Sequence, residues 1–155
     1  MKQRLYIDMD GVIVDFESAL RKVDNSTLEQ YQGILDEIPG LFDLMEPMPG
    51  AIEAVTELAK HFDTYILSTA PWLNPSSWTS KVNWIHRYFG SEKDSPLYKR
   101  VIITHHKNLL KGDLLIDDRL KNGVNGFEGE HIHFGTPKFP DWNTVLNYLI
   151  TKKNI

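Results

Sequence analysis

The sequence contains no cysteine among its 155 residues. This absence excludes disulfide bonds, thiol nucleophiles and cysteine-ligated zinc. The sequence also has no apolar run long enough to span a bilayer, and no signal-peptide core follows its first residues. We therefore expect a cytoplasmic protein without a membrane partner.

An excess of basic residues is also lacking. The chain has 17 Lys and Arg against 21 Asp and Glu, and its formal net charge is −4. This balance argues against a nucleic acid polymer as partner, because such proteins usually present a basic face. A single nucleotide stays compatible, since one local basic site suffices to bind it. The length suits one compact domain with a small insertion, and the sequence is compatible with a homodimer.

Short apolar segments alternate with amphipathic helical patterns along the chain. Helices are predicted at residues 50–62 and 78–89, and a last helix begins after Asp141. This alternation is typical of a Rossmann-like three-layer α/β/α sandwich around a five-stranded parallel sheet. The predicted strands cover residues 5–8, 64–67, 101–104, 113–116 and 130–134.

Residues 16–47 separate the first predicted strand from the first long helix. Apolar residues at helical spacing begin this segment, and residues 26–29 form a capping-box pattern that predicts a second helix. The alternative is that this segment is a plain crossover connection, but a crossover needs fewer elements than the segment contains. We predict a small helical cap at residues 16–47 and an α/β core at residues 1–15 and 48–155.

Polar side chains follow four of the predicted strands. In a parallel sheet these strand ends meet at one edge, where ligands bind. Asp8 and Asp10 are two residues apart, so their side chains point to the same side, and Gly11 permits a backbone geometry that a Cβ would resist. Alone, this acidic turn is more simply a cap on the strand. The other polar groups at strand ends are Thr69, Lys107, Asp117 and Asp118.

Together these groups indicate a site for a hard cation and a phosphate. Several carboxylates without sulfur ligands suit Mg²⁺. A hydroxyl and an ammonium group suit a phosphate dianion. One carboxylate could then attack phosphorus while its neighbour moves the proton. Individually, each residue also has an ordinary structural interpretation, such as a solvated lysine for Lys107.

In their order along the chain, these polar groups resemble the four motifs of the haloacid dehalogenase (HAD) superfamily of phosphatases. The groups are Asp8 with Asp10, then Thr69, then Lys107, then Asp117 with Asp118. The similarity is greater to one branch, the 5′(3′)-deoxyribonucleotidases. It runs along most of the chain and is weakest in the insertion and beyond Asn122. The stretches that carry it are DMDGVIVDFE (8–17), EPMPGAIEAV (46–55), STAPW (68–72), KVNWIHRYFG (81–90) and DLLIDDR (113–119).

The resemblance implies roles for the acidic residues. Asp8 would be the nucleophile and a Mg²⁺ ligand. Asp10 would be the general acid and base, and would give its backbone carbonyl to the metal. Asp117 and Asp118 would complete the metal site. We favour Asp118 as the direct ligand, with Asp117 supporting it.

The resemblance also implies how the phosphate is bound. Ser68 and Thr69 would bind phosphoryl oxygens, and Lys107 would neutralise the charge of the transition state. Lys81 matches a second phosphate-binding lysine of the branch. A hydroxyl bonded to its own loop is the alternative for Thr69, and a helix-surface lysine is the alternative for Lys81.

The cap implied by the resemblance would close over the phosphate and exclude water. Phe16 matches an aromatic residue that lies beside the base in this branch. Phe42 and Trp72 could add stacking faces, and packing between cap and core is the alternative for each. The insertion is shorter than in the animal enzymes and has no tryptophan.

The leading hypothesis is a magnesium-dependent phosphomonoesterase that hydrolyses deoxyribonucleoside monophosphates through an aspartyl-phosphate. The same chemistry on another small phosphate ester, such as a sugar phosphate, is the main alternative. A receiver domain also uses clustered aspartates, but its phosphoacceptor follows strand three, where this chain has Thr104. A non-catalytic relative is the last alternative. His131 and His133 share one face of the fifth predicted strand, and nothing near them in sequence completes a transition-metal site.

Overall fold

The structure is a computed structural model, and it describes residues 1–152. Its strands and helices alternate as the sequence predicts. The helices are α1 (Phe16–Leu20), α2 (Asn25–Gln30), α3 (Ala51–His61), α4 (Ser76–Phe89) and α5 (Trp142–Lys152). The strands are β1 (Arg4–Ile7), β2 (Val14–Asp15), β3 (Glu46–Pro47), β4 (Asp63–Ser68), β5 (Val101–Ile103), β6 (Leu114–Asp117) and β7 (Glu130–His133).

Five of the strands form one parallel sheet in the order β5-β4-β1-β6-β7. Counted along the chain, this order is 3-2-1-4-5, which is that of a Rossmann-type sheet. A receiver domain has the order 2-1-3-4-5 instead. The predicted α/β fold with a five-stranded parallel sheet is therefore confirmed, and the receiver arrangement is not that of this chain.

The two faces of the sheet are covered differently. On one face Leu5 and Ile7 pack into a large core with α3, α4 and α5. On the other face Tyr6 and Leu115 pack against Val124 and Phe127. This second layer is made by short 3₁₀ turns and loops rather than by long helices.

The two ends of the insertion are held together by the antiparallel pair β2–β3, a separate two-stranded sheet that the sequence analysis did not predict. The second helix begins at Asn25, before the 26–29 pattern that was expected to cap it. Its N-cap is Asp24, whose carboxylate accepts from the backbone N–H of Thr27 at 2.9 Å, so the 26–29 pattern does not cap it. The helix ends at Gln30 and Gly33 follows with a φ of +84°, which breaks the helical path.

The insertion packs closely on the rest of the molecule. Its buried residues Leu41, Phe42 and Met45 belong to the same core as the sheet. The indole N–H of Trp84, on α4, donates to the carbonyl of Met45 at 3.0 Å. Two 3₁₀ turns, Leu35–Glu37 and Leu41–Leu44, complete this segment. Within residues 1–152, every helix is too short or too polar to cross a membrane.

Candidate active site

The turn after β1 brings the first acidic residues to the carboxyl edge of the sheet. The backbone N–H groups of residues 12–14 all donate to the carbonyl of Met9, at 2.9–3.0 Å. Gly11 has a φ of +76°, and a Cβ there would lie 2.2 Å from Oδ2 of Asp118. The glycine therefore serves two purposes, because it permits the turn and leaves room for the neighbouring carboxylate.

A buried ionic cluster lies directly beside this turn. Nζ of Lys107 lies 3.0 Å from Oδ1 of Asp8 and 2.6 Å from Oδ2 of Asp117. The backbone N–H of Arg119 donates to the other oxygen of Asp117, Oδ1, at 3.0 Å. Asp117 is 1% exposed and Lys107 is 3% exposed. The cluster thus joins the exits of β1 and β6 through a lysine from the loop after β5.

Burial and mutual repulsion set the charge states of this cluster. Burial raises the pKa of Asp8, and the charge of Lys107 opposes this shift. Burial, and then the charges of Asp8 and Asp117, raise the pKa of Asp118 to about 7. Burial lowers the pKa of Lys107, but the two carboxylates outweigh it and the net pKa is raised. The lysine is therefore a cation, and the acids are crowded.

The donor set fits a hard divalent cation. Oxygens of Asp8, Asp117 and Asp118 all lie within 4.8 Å of one another. Oδ1 of Asp118 is buried, and no hydrogen-bond partner for it exists among residues 1–152. Carboxylate oxygens without sulfur or nitrogen donors are the ligands that Mg²⁺ prefers. A cation at this cluster would relieve both the repulsion and the unsatisfied oxygen.

Asp10 points to a different partner from Asp8. Its Oδ2 lies 2.8 Å from Nζ of Lys81, which also lies 3.0 Å from Oγ of Ser68. The Lys81 side chain is fully buried, and its ammonium lies 4.7 Å from the ring centroid of Phe42. Ser68 is buried beneath this contact. Oδ1 of Asp10 is buried without a hydrogen-bond partner within the described part of the chain.

Thr69 lies at the entrance of the ionic cluster, next to Asp8 and Asp10. Its hydroxyl donates to the carbonyl of Thr104 at 2.7 Å, so the threonine joins the exits of β4 and β5. The hydroxyl oxygen keeps its acceptor capacity, and the hydrogen can turn away from Thr104 when a better acceptor is near.

A cleft of about 650 Å³ opens above the cluster. Phe16 and Phe42 line the insertion side, and their rings meet edge to face at 6.2 Å between centroids. Trp72 lines the opposite side and is 76% exposed. The three aromatic residues named from the sequence therefore lie around one cleft, whose lining also includes Asp10 and Thr69.

Several lining residues were not identified from the sequence. Arg119, Lys121 and Asn122 form the rim between the cleft and the ionic cluster. The position of Arg119 directly after the acidic pair is a signal that could have indicated it. His105 also lines the cleft, and its Nε2 hydrogen-bonds the carbonyl of Ala70 at 2.9 Å. Loop geometry carries no periodic pattern, which is why these residues were missed.

His131 and His133 lie on β7 beside the acidic pair. Their rings stack with centroids 5.1 Å apart. Nε2 of His131 lies 3.0 Å from the carbonyl oxygen of Asp117, and Nε2 of His133 lies 3.0 Å from that of Asp118. Within residues 1–152, the only cluster of acidic or histidine side chains that could hold a metal is Asp8–Asp117–Asp118, so the histidines are not ligands of a second one.

Comparison with solved structures defines the class of fold. A HAD hydrolase from Bacillus subtilis, YfnB, whose structure is described as bound to magnesium, matches with a TM-score of 0.63 at 15% identity, over 99% of both chains. A HAD-like family hydrolase from Xanthomonas campestris matches with a TM-score of 0.60 at 12% identity, over 97% of this chain and 95% of that one. The fold is that of the HAD hydrolases.

Comparison of sequences defines the family more narrowly. The family model for the cytosolic type C protein "5′ nucleotidase, deoxy (Pyrimidine)" matches residues 29–145. A putative 5′(3′)-deoxyribonucleotidase of Vibrio phage KVP40 is 54% identical over 97% of this chain and 86% of its own length. The human cytosolic-type 5′(3′)-deoxyribonucleotidase is 33% identical over 92% of this chain and 78% of its own. The chain belongs to this deoxyribonucleotidase family of HAD phosphatases, as its motifs predict.

Proposed function

We propose that this phosphatase hydrolyses deoxyribonucleoside monophosphates with Mg²⁺, through a phosphorylated Asp8. The observation that carries the proposal is the buried Asp8–Lys107–Asp117 cluster, with the unsatisfied oxygen of Asp118 beside it. A nucleophile, a fixed cation and a set of hard ligands for a metal are the groups that phosphoryl transfer through a carboxylate requires. The cytosolic-type human relative supports a cytoplasmic location.

Asp8 attacks the substrate phosphorus in the first half of the reaction. Lys107 holds Oδ1 of Asp8, which leaves Oδ2 to form the new bond. The bond between phosphorus and the ester oxygen breaks as the new bond forms. Asp10 gives a proton to the departing oxygen, so the nucleoside leaves as a neutral alcohol. Because Oδ2 of Asp10 contacts Lys81, we assign this proton to Oδ1, which has no hydrogen-bond partner among residues 1–152.

Water completes the cycle in the second half of the reaction. Asp10, now a carboxylate, takes a proton from a water molecule whose oxygen attacks phosphorus. The bond between phosphorus and Asp8 breaks, and inorganic phosphate leaves. Asp8 is again a carboxylate and Asp10 again carries a proton. Lys107 neutralises charge in both halves, and Thr69 donates to a phosphoryl oxygen when its hydroxyl turns from Thr104.

The proposed metal ligands are Asp8, Asp118 and the backbone carbonyl of Asp10. When bound, Mg²⁺ would neutralise charge on the phosphoryl oxygens. Asp117 is assigned a supporting role, since both of its carboxylate oxygens already accept hydrogen bonds, from Lys107 and from the backbone of Arg119. Asp118 is the better direct ligand because its Oδ1 has no partner within residues 1–152.

The substrate assignment rests on the cleft. Its volume of about 650 Å³ falls within the usual range of small-molecule sites, which is about 300–1,000 Å³. Phe16, Phe42 and Trp72 would contact the base and sugar, while Lys121 and Asn122 lie near the phosphate end. Aromatic side chains can stack on any nucleobase, because every base has a π-face. Residues 16–47 would act as the cap that covers the bound substrate.

A substrate panel tests this proposal. Phosphate release is measured from deoxyribonucleoside 5′- and 3′-monophosphates and from sugar phosphates, with Mg²⁺ and with a chelator. We expect turnover of the deoxynucleotides that requires Mg²⁺. Turnover of sugar phosphates alone would contradict the nucleotidase assignment and leave the phosphatase chemistry standing.

Asp8→Asn is the matched test of the nucleophile. The amide preserves the shape of the side chain but cannot form the aspartyl-phosphate, so we expect a loss of activity on the order of 10⁴-fold or more. Circular dichroism and the melting temperature establish that the variant is folded. Full activity in the folded variant would reject Asp8 as the nucleophile.

A further inference from the structure

The carboxylate of Asp118 is held less firmly than those of its neighbours. Asp8 and Asp117 both accept hydrogen bonds from the buried Lys107. For Asp118, Oδ1 has no partner within the described residues, and Nε of Arg119 lies 3.9 Å from Oδ2. The Arg119 side chain is 64% exposed, so this distant ion pair contributes little to the position of Asp118.

The backbone of Asp118 is held by a histidine from the next strand. Nε2 of His133 lies 3.0 Å from the carbonyl oxygen of Asp118. A carbonyl oxygen only accepts hydrogen bonds, so this ring nitrogen carries the proton and donates. His133 belongs to β7, whose backbone pairs with β6 in register, with His133 opposite Asp117. The donor is therefore fixed to the sheet rather than to a loop.

The neighbouring His131 makes a similar bond to Asp117, but Asp117 is also held in place by other bonds. Nε2 of His131 donates to the carbonyl of Asp117 at 3.0 Å. That carbonyl also accepts the backbone N–H of Phe134 at 3.0 Å. Asp117 is further fixed by Lys107 through its side chain. Loss of His131 would leave Asp117 with its other bonds, whereas no second donor to the Asp118 carbonyl exists among residues 1–152.

Space around Asp118 is limited on its other side by Gly11, where a Cβ would lie 2.2 Å from Oδ2. If Asp118 shifts slightly, its carboxylate therefore either collides with the turn after β1 or moves away from Asp8. Residues that orient a metal ligand in this way change metal affinity by about 10–100-fold when they are removed.

We propose that His133 is a positioning residue for Asp118, and that its hydrogen bond sets the affinity of the site for Mg²⁺. This role rests on the proposed function, because Asp118 must be a metal ligand for it to matter. His133 itself touches neither the metal nor the substrate. Its contribution reaches the site through the backbone at the exit of β6.

The test measures Mg²⁺ binding directly by titration calorimetry on three variants. His133→Leu removes the donor at similar size, and we expect the Kd for Mg²⁺ to rise about tenfold. His133→Gln keeps an N–H at the reach of Nε2, and we expect most of the affinity to return. His131→Leu is the matched control, and we expect its Kd to change less than about twofold because the Asp117 carbonyl keeps the Phe134 bond.

A purely structural role would lower the melting temperature of His133→Leu without changing the Kd for Mg²⁺. An unchanged Kd in this variant, or an equal change in His131→Leu, would overturn the proposal. If His133→Leu does not fold, His133→Asn carries the same comparison, since its shorter amide does not reach the carbonyl. Wild-type protein that binds no Mg²⁺ would overturn the proposed metal site itself, and this role with it.

Discussion

The floor and the walls of the cleft are built in opposite ways. The floor is the Asp8–Lys107–Asp117 cluster, which is buried and in which each charged group has an opposite charge within 3.0 Å. The walls carry aromatic rings whose exposure differs: Phe42 is buried, Phe16 is half-buried and Trp72 is 76% exposed. Groups in the floor are fixed by their partners, whereas Trp72 is free to adapt.

We expect the buried floor to determine the rate of the chemical step and the exposed ring to determine which substrate is preferred. Charges that are preorganised in a buried site stabilise a transition state without reorganisation, so changes there should abolish turnover. An exposed ring contributes stacking energy to binding, so changes there should alter KM and the order of preferred substrates. Substitutions in each region therefore test whether the two regions have these separate roles.

The largest effect after Asp8 is expected from Lys107→Met. It removes the cation from the floor, and we expect kcat to fall by about 10²–10³-fold because transition-state charge is no longer neutralised. Two buried carboxylates would also be left without their partner, which should lower the free energy of unfolding by about 3–5 kcal/mol. Steady-state kinetics and urea denaturation measure the two effects.

Lys111→Met is the control for this variant, because Lys111 is exposed and does not line the cleft. It should leave both kcat and the unfolding free energy close to those of the wild type. A Lys107→Met enzyme with nearly normal kcat would show that the floor does not act through fixed charge.

A second, smaller effect is expected from Lys81→Met. Lys81 holds Asp10, so its loss should impair protonation of the leaving oxygen. We expect kcat/KM to fall by about 10–100-fold for a deoxynucleotide. For p-nitrophenyl phosphate the fall should be much smaller, because this leaving group departs without a proton.

The comparison of the two substrates also tests the predicted role of Lys81 as a phosphate ligand. A phosphate ligand would be needed equally for both substrates, since they present the same phosphoryl group. Equal losses in kcat/KM would therefore assign Lys81 to the phosphate rather than to Asp10.

Trp72→Ala should have a more modest effect that depends on the substrate. Stacking on a base is worth about 1–3 kcal/mol, so KM for deoxynucleotides should rise by about tenfold with little change in kcat. For a small phosphate ester without a base, KM should not change. Leu73→Ala is the matched control, because Leu73 is 70% exposed beside Trp72 and does not line the cleft. An equal rise in KM for both kinds of substrate would show that Trp72 does not contact the base.

The smallest effect is expected in how the stabilisation of the protein by Mg²⁺ depends on pH, through the carboxylate of Asp118. Burial and the charges of Asp8 and Asp117 raise the pKa of Asp118 from 3.8 to about 7. Between these values the folded protein keeps a proton that the unfolded chain has lost, so the contribution of Asp118 to stability falls as pH rises through about 7. At the proposed metal site Mg²⁺ would compete with that proton. The rise in melting temperature caused by Mg²⁺ should therefore increase from about pH 5 to about pH 8.

Differential scanning calorimetry at several pH values measures this difference. Asp118→Asn should lose most of the stabilisation by Mg²⁺ at every pH, and the pH dependence with it, since the amide is a weaker ligand and does not titrate in this range. A stabilisation by Mg²⁺ that is the same at both ends of the range would contradict competition at Asp118.

The sheet and the floor were predictable because both follow from simple periodic rules. Apolar strands ending in Asp8, Thr69 and Asp117 identify one edge of a parallel sheet, and that edge brings distant residues together. The sequence could not show that Lys81 contacts Asp10, because that contact joins a helix to a turn at a distance of 71 residues. The His133 bond was missed for a similar reason, since it depends on the register between β6 and β7.

The insertion was predicted less well than the core. Its helices are only five and six residues long, and short helices depend on tertiary packing more than on their own sequence. Asp24 caps α2 with its carboxylate, two residues before the predicted pattern begins. Buried contacts such as that of Trp84 with Met45 then fix the segment, and no local pattern encodes them.

The central claim is that Asp8 becomes phosphorylated during turnover. Wild-type enzyme is mixed with a deoxyribonucleoside monophosphate and Mg²⁺, quenched in acid within one turnover, and its peptides are analysed by mass spectrometry after reduction with borohydride. We expect a modification in the peptide that contains Asp8, at that residue, and its absence in Asp8→Asn. Phosphate release without any trapped adduct at Asp8, or with the adduct on another residue, would contradict it.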